Sequence, residues 1–211
     1  MHRLFAVPAG SPAPPLLYEI RARLPRVSGW PLALLAVVAG VALLAISARV
    51  RITLGFSPVP ITGQSFAVLL IGAVYGSRLG GVTVIAYLAS ATVGLPFFAG
   101  GASGWAYFTG TSGGYFVGFF LAAYAVGWLA ERGWDRSVVT MAAAMVIGNV
   151  IIYVPGWWWL MRELGISAER SWDLGVQPFL IGDTLKIGLA AGLLPSSWVA
   201  RDWLVQRGRQ R

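Results

Sequence analysis

The chain has 211 residues, of which 57% are apolar and only 11% charged, with a formal net charge of +8. Soluble domains carry about 25% charged residues, so this composition excludes a soluble globule. There is no cysteine, and the one histidine is His2, which excludes disulfides, thiolate zinc sites and a histidine-based triad or proton relay in the body of the chain.

A crossing helix needs about 20 apolar residues, so the roughly 120 apolar residues here suffice for about six crossings. The expected fold class is an all-α integral membrane protein, a bundle of six transmembrane helices. Residues 1–29, with Pro8, Pro12, Pro14 and Pro15, read as an N-terminal tail without a signal peptide. Within it, Leu16 to Leu24 reads either as a short interfacial helix carrying Arg21 and Arg23 or as a disordered tail. The first span is Trp30 to Ala48, ended by Arg49 and Arg51. Pro58 and Pro60 exclude regular helix from the loop 55–63. A short second span runs from Gln64 to Tyr75, Arg78 marks a turn, and a third runs from Leu79 to Phe98, disrupted by Gly94 and Pro96. The uncharged, glycine-rich stretch 99–114 reads as a loop. The fourth span is Tyr115 to Ala130. The fifth, Ser137 to Leu160, carries Pro155 and the tryptophans 157–159, which read as an interfacial belt. A polar loop, 161–175, leads to the sixth span, Val176 to Val199. The expected organisation is therefore a tail (1–29), a membrane domain (30–200) and a basic C-terminal tail (201–211).

Arginine sets the orientation. Every basic residue except Lys186 is arginine, and 11 arginines fall on the side of both termini against four on the other. The positive-inside rule places both termini in the cytoplasm and the loops 55–63, 99–114 and 161–175 outside. The basic surplus reads as anchoring against anionic membrane lipid. No soluble basic face points to nucleic acid.

Asp183 and Lys186 are the two charges inside a span. Their i,i+3 spacing puts them on one helical face. Each alone costs about 2.5–3.5 kcal/mol at a span centre, which makes them functional candidates; a self-neutralised structural pair is the alternative. Asn149 and Tyr153 share a face of the fifth span, either as ligand groups or as an interhelical hydrogen bond. Gln64 opens the second span as a ligand group or an interfacial helix start. The stretch 99–114 alternates glycines, Gly101 among them, with Trp105, Tyr107, Phe108 and Thr109, which suits either a ring-shaped ligand or an aromatic belt. Ala33, Ala36 and Gly40 form a small-residue face on the first span, either for packing within the bundle or for docking a separate membrane subunit. There is no Walker A loop, so an energy source for transport lies outside this chain.

Several blocks in order resemble the BioY family: Ser57-Pro58-Val59-Pro60-Ile61-Thr62 with Gln64, Gly76-x-Arg78-x-Gly80, Gly94-Leu95-Pro96-x-Phe98-Ala99-Gly100-Gly101, Gly110 to Tyr115, and Gly182-Asp183-x-x-Lys186. The resemblance implies a biotin-specific S-component of an energy-coupling-factor (ECF) transporter in a prokaryotic cell membrane, not an enzyme and without a cofactor. It implies partners: a T-component, docked through Ala33, Ala36 and Gly40, and two cytoplasmic ATPases whose hydrolysis reorients the bundle and releases biotin inside. On this reading Asp183 accepts from the ureido N–H groups, and Lys186 meets the carboxylate or the ureido oxygen. Asn149, Gln64, Thr109 and the Gly101 backbone add polar groups, and Trp105, Tyr107 and Tyr153 add walls. An S-component for another vitamin, a solitary biotin transporter, an intramembrane enzyme and a structural membrane protein remain the alternatives.

Overall fold

A computed structural model describes residues 15–18 and 29–209. Its elements are α1 (Gly29–Ser47), β1 (Arg51–Ile52), β2 (Ile61–Thr62), α2 (Gln64–Thr92), α3 (Trp105–Phe108), α4 (Gly113–Ala130), α5 (Val138–Leu164), α6 (Ala168–Gly175) and α7 (Gln177–Arg209). Short 3-10 turns lie at Ala99–Gly101 and Trp134–Arg136. Among the described residues, five helices are long and apolar enough to cross a membrane: α1, α2, α4, α5 and α7. Residues 16–18 are helical, and the rest of the interfacial helix expected over Leu16–Leu24 lies outside the described residues.

α2 is not one rod. Gly76 has φ 81° and ψ 175°, which breaks the helix. A Cβ built on Gly80 would lie 3.1 Å from the Gly72 Cα, whereas residues eight apart in a straight helix are about 12 Å apart. The chain therefore doubles back at Gly76, at the turn expected near Arg78. The two arms lie side by side, with glycine at the contact. The buried Glu131 closes this turn, its Oε1 accepting from the backbone N and the hydroxyl of Ser77, each at 2.9 Å. A carboxylate at the start of the second arm satisfies a helix-end donor and complements the helix dipole.

Close approach elsewhere also rests on glycine. A Cβ on Gly114 would sit 2.2 Å from the Pro155 carbonyl oxygen, and one on Gly127 would sit 2.4 Å from the Ser77 nitrogen, so α4 packs backbone to backbone on α5 and on the α2 turn. The core collects Val68, Leu69, Ile71, Tyr87, Phe98, Phe116, Val126, Met141 and Ile152. The outward faces stay apolar: Leu34, Leu35 and Ile46 on α1 and Ile181, Leu185 and Leu189 on α7 are all more than half exposed. Such faces are a liability in water and the ordinary lipid-facing surface of a membrane bundle.

Three expectations change. The segment 55–63 is flanked by a two-stranded antiparallel ribbon, with Arg51 opposite Thr62 and Ile52 opposite Ile61, so the fold is mostly rather than wholly helical. The loop expected at 161–175 is largely helix: α5 runs to Leu164, Gly165 turns the chain in the left-handed region, and Ser167 caps α6 by accepting from the Arg170 backbone N–H. The basic segment expected as a separate tail continues α7 as helix to Arg209.

Candidate functional site

The Asp183 carboxylate on α7 is 3% exposed and held from two sides. Lys186 Nζ donates to Oδ1 at 2.9 Å, and the Tyr153 hydroxyl donates to Oδ2 from α5. Lys186 also donates to the Thr62 carbonyl at 3.0 Å and to Ser65 Oγ at 2.9 Å. An ammonium has three protons, and all three are placed. The i,i+3 spacing that put the pair on one face thus also clamps α7 to β2 and to the start of α2.

Gln64 extends this network. It is buried, its Nε2 donates to the Tyr87 hydroxyl at 2.6 Å, and its Oε1 accepts from Thr62 Oγ1 at 3.2 Å. The Tyr87 hydroxyl donates onward to the Phe97 carbonyl at 2.9 Å. A polar chain therefore runs from α7 through Thr62 and Gln64 to the loop after α2.

Three cavities adjoin this network. An inner cavity of about 50 Å³ is lined by Thr62, Gln64, Ser65, Tyr107, Phe116 and Tyr153, among others. A mouth cavity of about 510 Å³ lies between the β ribbon and the glycine-rich loop, lined by Arg51, Ser57, Pro58, Gly100, Gly101 and Tyr107, among others. Pro60, Ala99 and Tyr107 line both, so the two spaces adjoin. A third, about 460 Å³, is a groove between α5 and α7 with Asn149, Tyr153 and Asp183 on its floor and Val146, Val150 and Val154 along its rim. Tyr153 separates the groove from the inner cavity, since it lines both.

The candidates from sequence therefore divide. Gln64, Tyr107 and Tyr153 meet at the inner cavity, Asn149 and Asp183 at the groove, and Gly101 at the mouth. Lys186 acts through its hydrogen bonds. Trp105 is 66% exposed and stacks on Phe108, and Thr109 Oγ1 donates back to the Trp105 carbonyl; neither lines any of these three cavities. Burial holds the Tyr107 hydroxyl above the ordinary phenol range, partly offset by the Arg51 charge and a Ser112 hydrogen bond.

Ala33 and Ala36 are buried beside Leu79, and a Cβ on Gly40 would lie 2.5 Å from Thr83 Cγ2. The small-residue face thus packs within the bundle, the alternative open at the sequence level, and it does not lie free for a partner. Trp157 and Trp159 also depart from a plain belt. Their indole N–H groups donate to the carbonyls of Ala168 and Gly110, tying α5 to α6 and to the glycine-rich loop.

Sequence alone does not mark Thr62, Ser65, Tyr87 or Arg51 as site residues. Ser65 was within reach, because it adjoins Gln64 in the motif block. Arg51 entered only as a topology charge.

The family model for the BioY family matches residues 25–202. The chain belongs to the BioY family. It is 36% identical over 147 residues to the biotin transporter BioY of Rhizobium etli, covering 66% of this chain and 78% of that one. The probable biotin transporter BioY of Pyrococcus horikoshii is 35% identical over 150 residues, covering 71% and 86%. The crystal structure of the S-component for biotin from an ECF-type ABC transporter superposes with a TM-score of 0.71 at 27% identity, covering 78% of this chain and 89% of that one. BioY proteins are transporter components and not enzymes, and this chain is a multi-pass membrane protein of that kind.

Proposed function

We propose that this chain is a biotin-specific S-component that captures biotin from outside the cell and releases it to the cytoplasm. The observation that carries the reading is the Asp183–Lys186–Tyr153 cluster beside the inner cavity, in a chain whose relatives are named biotin transporters. On this reading the two arms of α2 cross the membrane separately, which makes six crossings, and the arginine bias supports cytoplasmic termini.

Biotin offers two ureido N–H donors, one carbonyl, an apolar ring and an anionic tail. Asp183 retains lone pairs beyond those used by Lys186 and Tyr153, so it can accept from a ureido N–H group. Lys186 has no proton to spare and acts by holding that carboxylate charged and aimed. Gln64 supplies a further polar group at the inner cavity, Asn149, like Asp183, reaches the ligand once Tyr153 swings aside, and Tyr107 and Tyr153 form the walls. A cavity of about 50 Å³ has room for a few waters, each needing about 10–15 Å³ of such space, and not for a bicyclic ring with its tail. Biotin entry therefore requires the aromatic wall and the glycine-rich loop to shift outward, and binding orders that loop. A T-component and two ATPases supply the energy for reorientation of the bundle, and the T-component meets residues other than Ala33, Ala36 and Gly40.

Calorimetry on the purified full chain in detergent tests the reading, with biotin against thiamine and riboflavin. Selective biotin binding supports it; a well-folded protein that binds another vitamin and not biotin overturns it in favour of an S-component for that vitamin.

A further inference from the structure

The polar cluster on α7 has no donor left for an anionic tail, because each Lys186 proton already has an acceptor. A cation with open donors lies at the mouth. Arg51 is exposed and lines the mouth cavity. It forms no hydrogen bond or ion pair with an acceptor among the described residues, whereas its neighbour Arg49 donates to the Pro96 carbonyl at 2.8 Å.

Arg51 is also held in place. β1 pairs it with Thr62, the residue whose carbonyl takes a Lys186 proton. Its guanidinium lies against Gly100, where an added Cβ would fall 2.0 Å from Nη1 and where φ is 69°. Only glycine there leaves the guanidinium its seat. Among the described residues, no acidic side chain lines the mouth cavity, whose other members include Thr53, Ser57 and Tyr107. A guanidinium presents a planar fork of donors that matches a carboxylate through two parallel hydrogen bonds.

We propose that Arg51 is the carboxylate-recognition residue of this site, receiving the acidic tail of a ligand whose ring lies deeper, toward Tyr107 and Tyr153. The proposal rests on the biotin reading above and deepens it. It assigns the two ends of the ligand: ring toward the α7 cluster, tail toward the β ribbon and Gly100. Tyr107, which lines both cavities, flanks the chain that joins them. The site then selects a small acid over its uncharged derivative.

The test compares biotin with biotinamide, which keeps the ring and loses the charge, on the purified full chain and on R51Q and R51K. The unaltered chain should bind biotin at least about tenfold more tightly than biotinamide, and R51Q should weaken biotin by about tenfold or more while leaving biotinamide within about twofold. R51K, a point charge without the fork, should fall between them. Retained biotinamide binding shows that R51Q is folded. Equal loss of both ligands in R51Q, or no loss of either, overturns the Arg51 assignment and leaves the biotin reading standing. Failure of the unaltered chain to bind either ligand overturns both.

Discussion

The Tyr153 hydroxyl and the Asp183 carboxylate join α5 to α7, with Tyr153 on the oxygen that Lys186 leaves open. Replacing Tyr153 by phenylalanine removes the donor and keeps the ring. A hydrogen bond to a charged group contributes about 1.5–3 kcal/mol, so Tyr153→Phe should lower stability by about that amount. Thermal unfolding in detergent measures it, and an unchanged midpoint would show that this contact carries no net energy.

Lys186 balances a carboxylate that is nearly inaccessible to solvent. Removing one partner of a buried pair costs about 3–5 kcal/mol, because the other charge is left uncompensated. Lys186→Met should therefore be strongly destabilising, and the double change with Asp183→Asn should recover much of the loss. A double-mutant cycle checks this, and strictly additive losses would mean that the two charges do not stabilise one another.

Tyr107 lines both the inner cavity and the mouth, whereas Trp105 lines neither. Tyr107→Ala should weaken biotin binding by about tenfold or more, and Trp105→Ala should change it by no more than about twofold. The reverse ranking in a titration would move the binding site out along the glycine-rich loop.

Gly114 meets the Pro155 carbonyl and the Trp159 Cβ at distances no Cβ tolerates. Gly114→Ala must push α4 from α5, and overpacking of this kind costs about 1–3 kcal/mol. Chemical denaturation should show it, along with weaker biotin binding, since Tyr115 and Phe116 from α4 line the inner cavity.

Asp135, in the turn before α5, is buried and accepts from the Trp198 indole at 2.7 Å, while its Oδ1 has no partner. Burial raises its carboxyl above the ordinary range, against the Trp198 hydrogen bond and the Arg136 charge. The folded protein thus holds this proton more tightly than the unfolded chain. Its contribution to stability is fully present below the ordinary carboxylate value of about 3.9 and is lost as pH rises through the raised value. Asp135→Asn, neutral throughout, should flatten that part of the pH profile and be at least as stable near pH 7. Melting curves from about pH 4 to about pH 8 check it; parallel profiles for the two proteins would contradict it.

The sequence by itself determined the solvent, the spans and the chemistry available. Long apolar runs leave no alternative to burial in lipid. The absence of cysteine and of a body histidine removes whole classes of reaction, and the i,i+3 spacing of Asp183 and Lys186 follows from helix geometry alone. The reversal within 64–92 was legible too, because Arg78 interrupts an apolar run. Only the tertiary structure decided which candidates meet. Lys186 spends its protons on Thr62 and Ser65, more than 120 residues away in the chain, and no local pattern encodes a partner at that separation. Ala33, Ala36 and Gly40 look alike in sequence whether they face a partner or their own bundle, since close packing asks for small residues in both cases. Arg51 read only as a topology charge until the ribbon pairing and Gly100 placed its guanidinium at the mouth. Periodicity reports which face of a helix is apolar, and the packing of the other helices determines what that face meets.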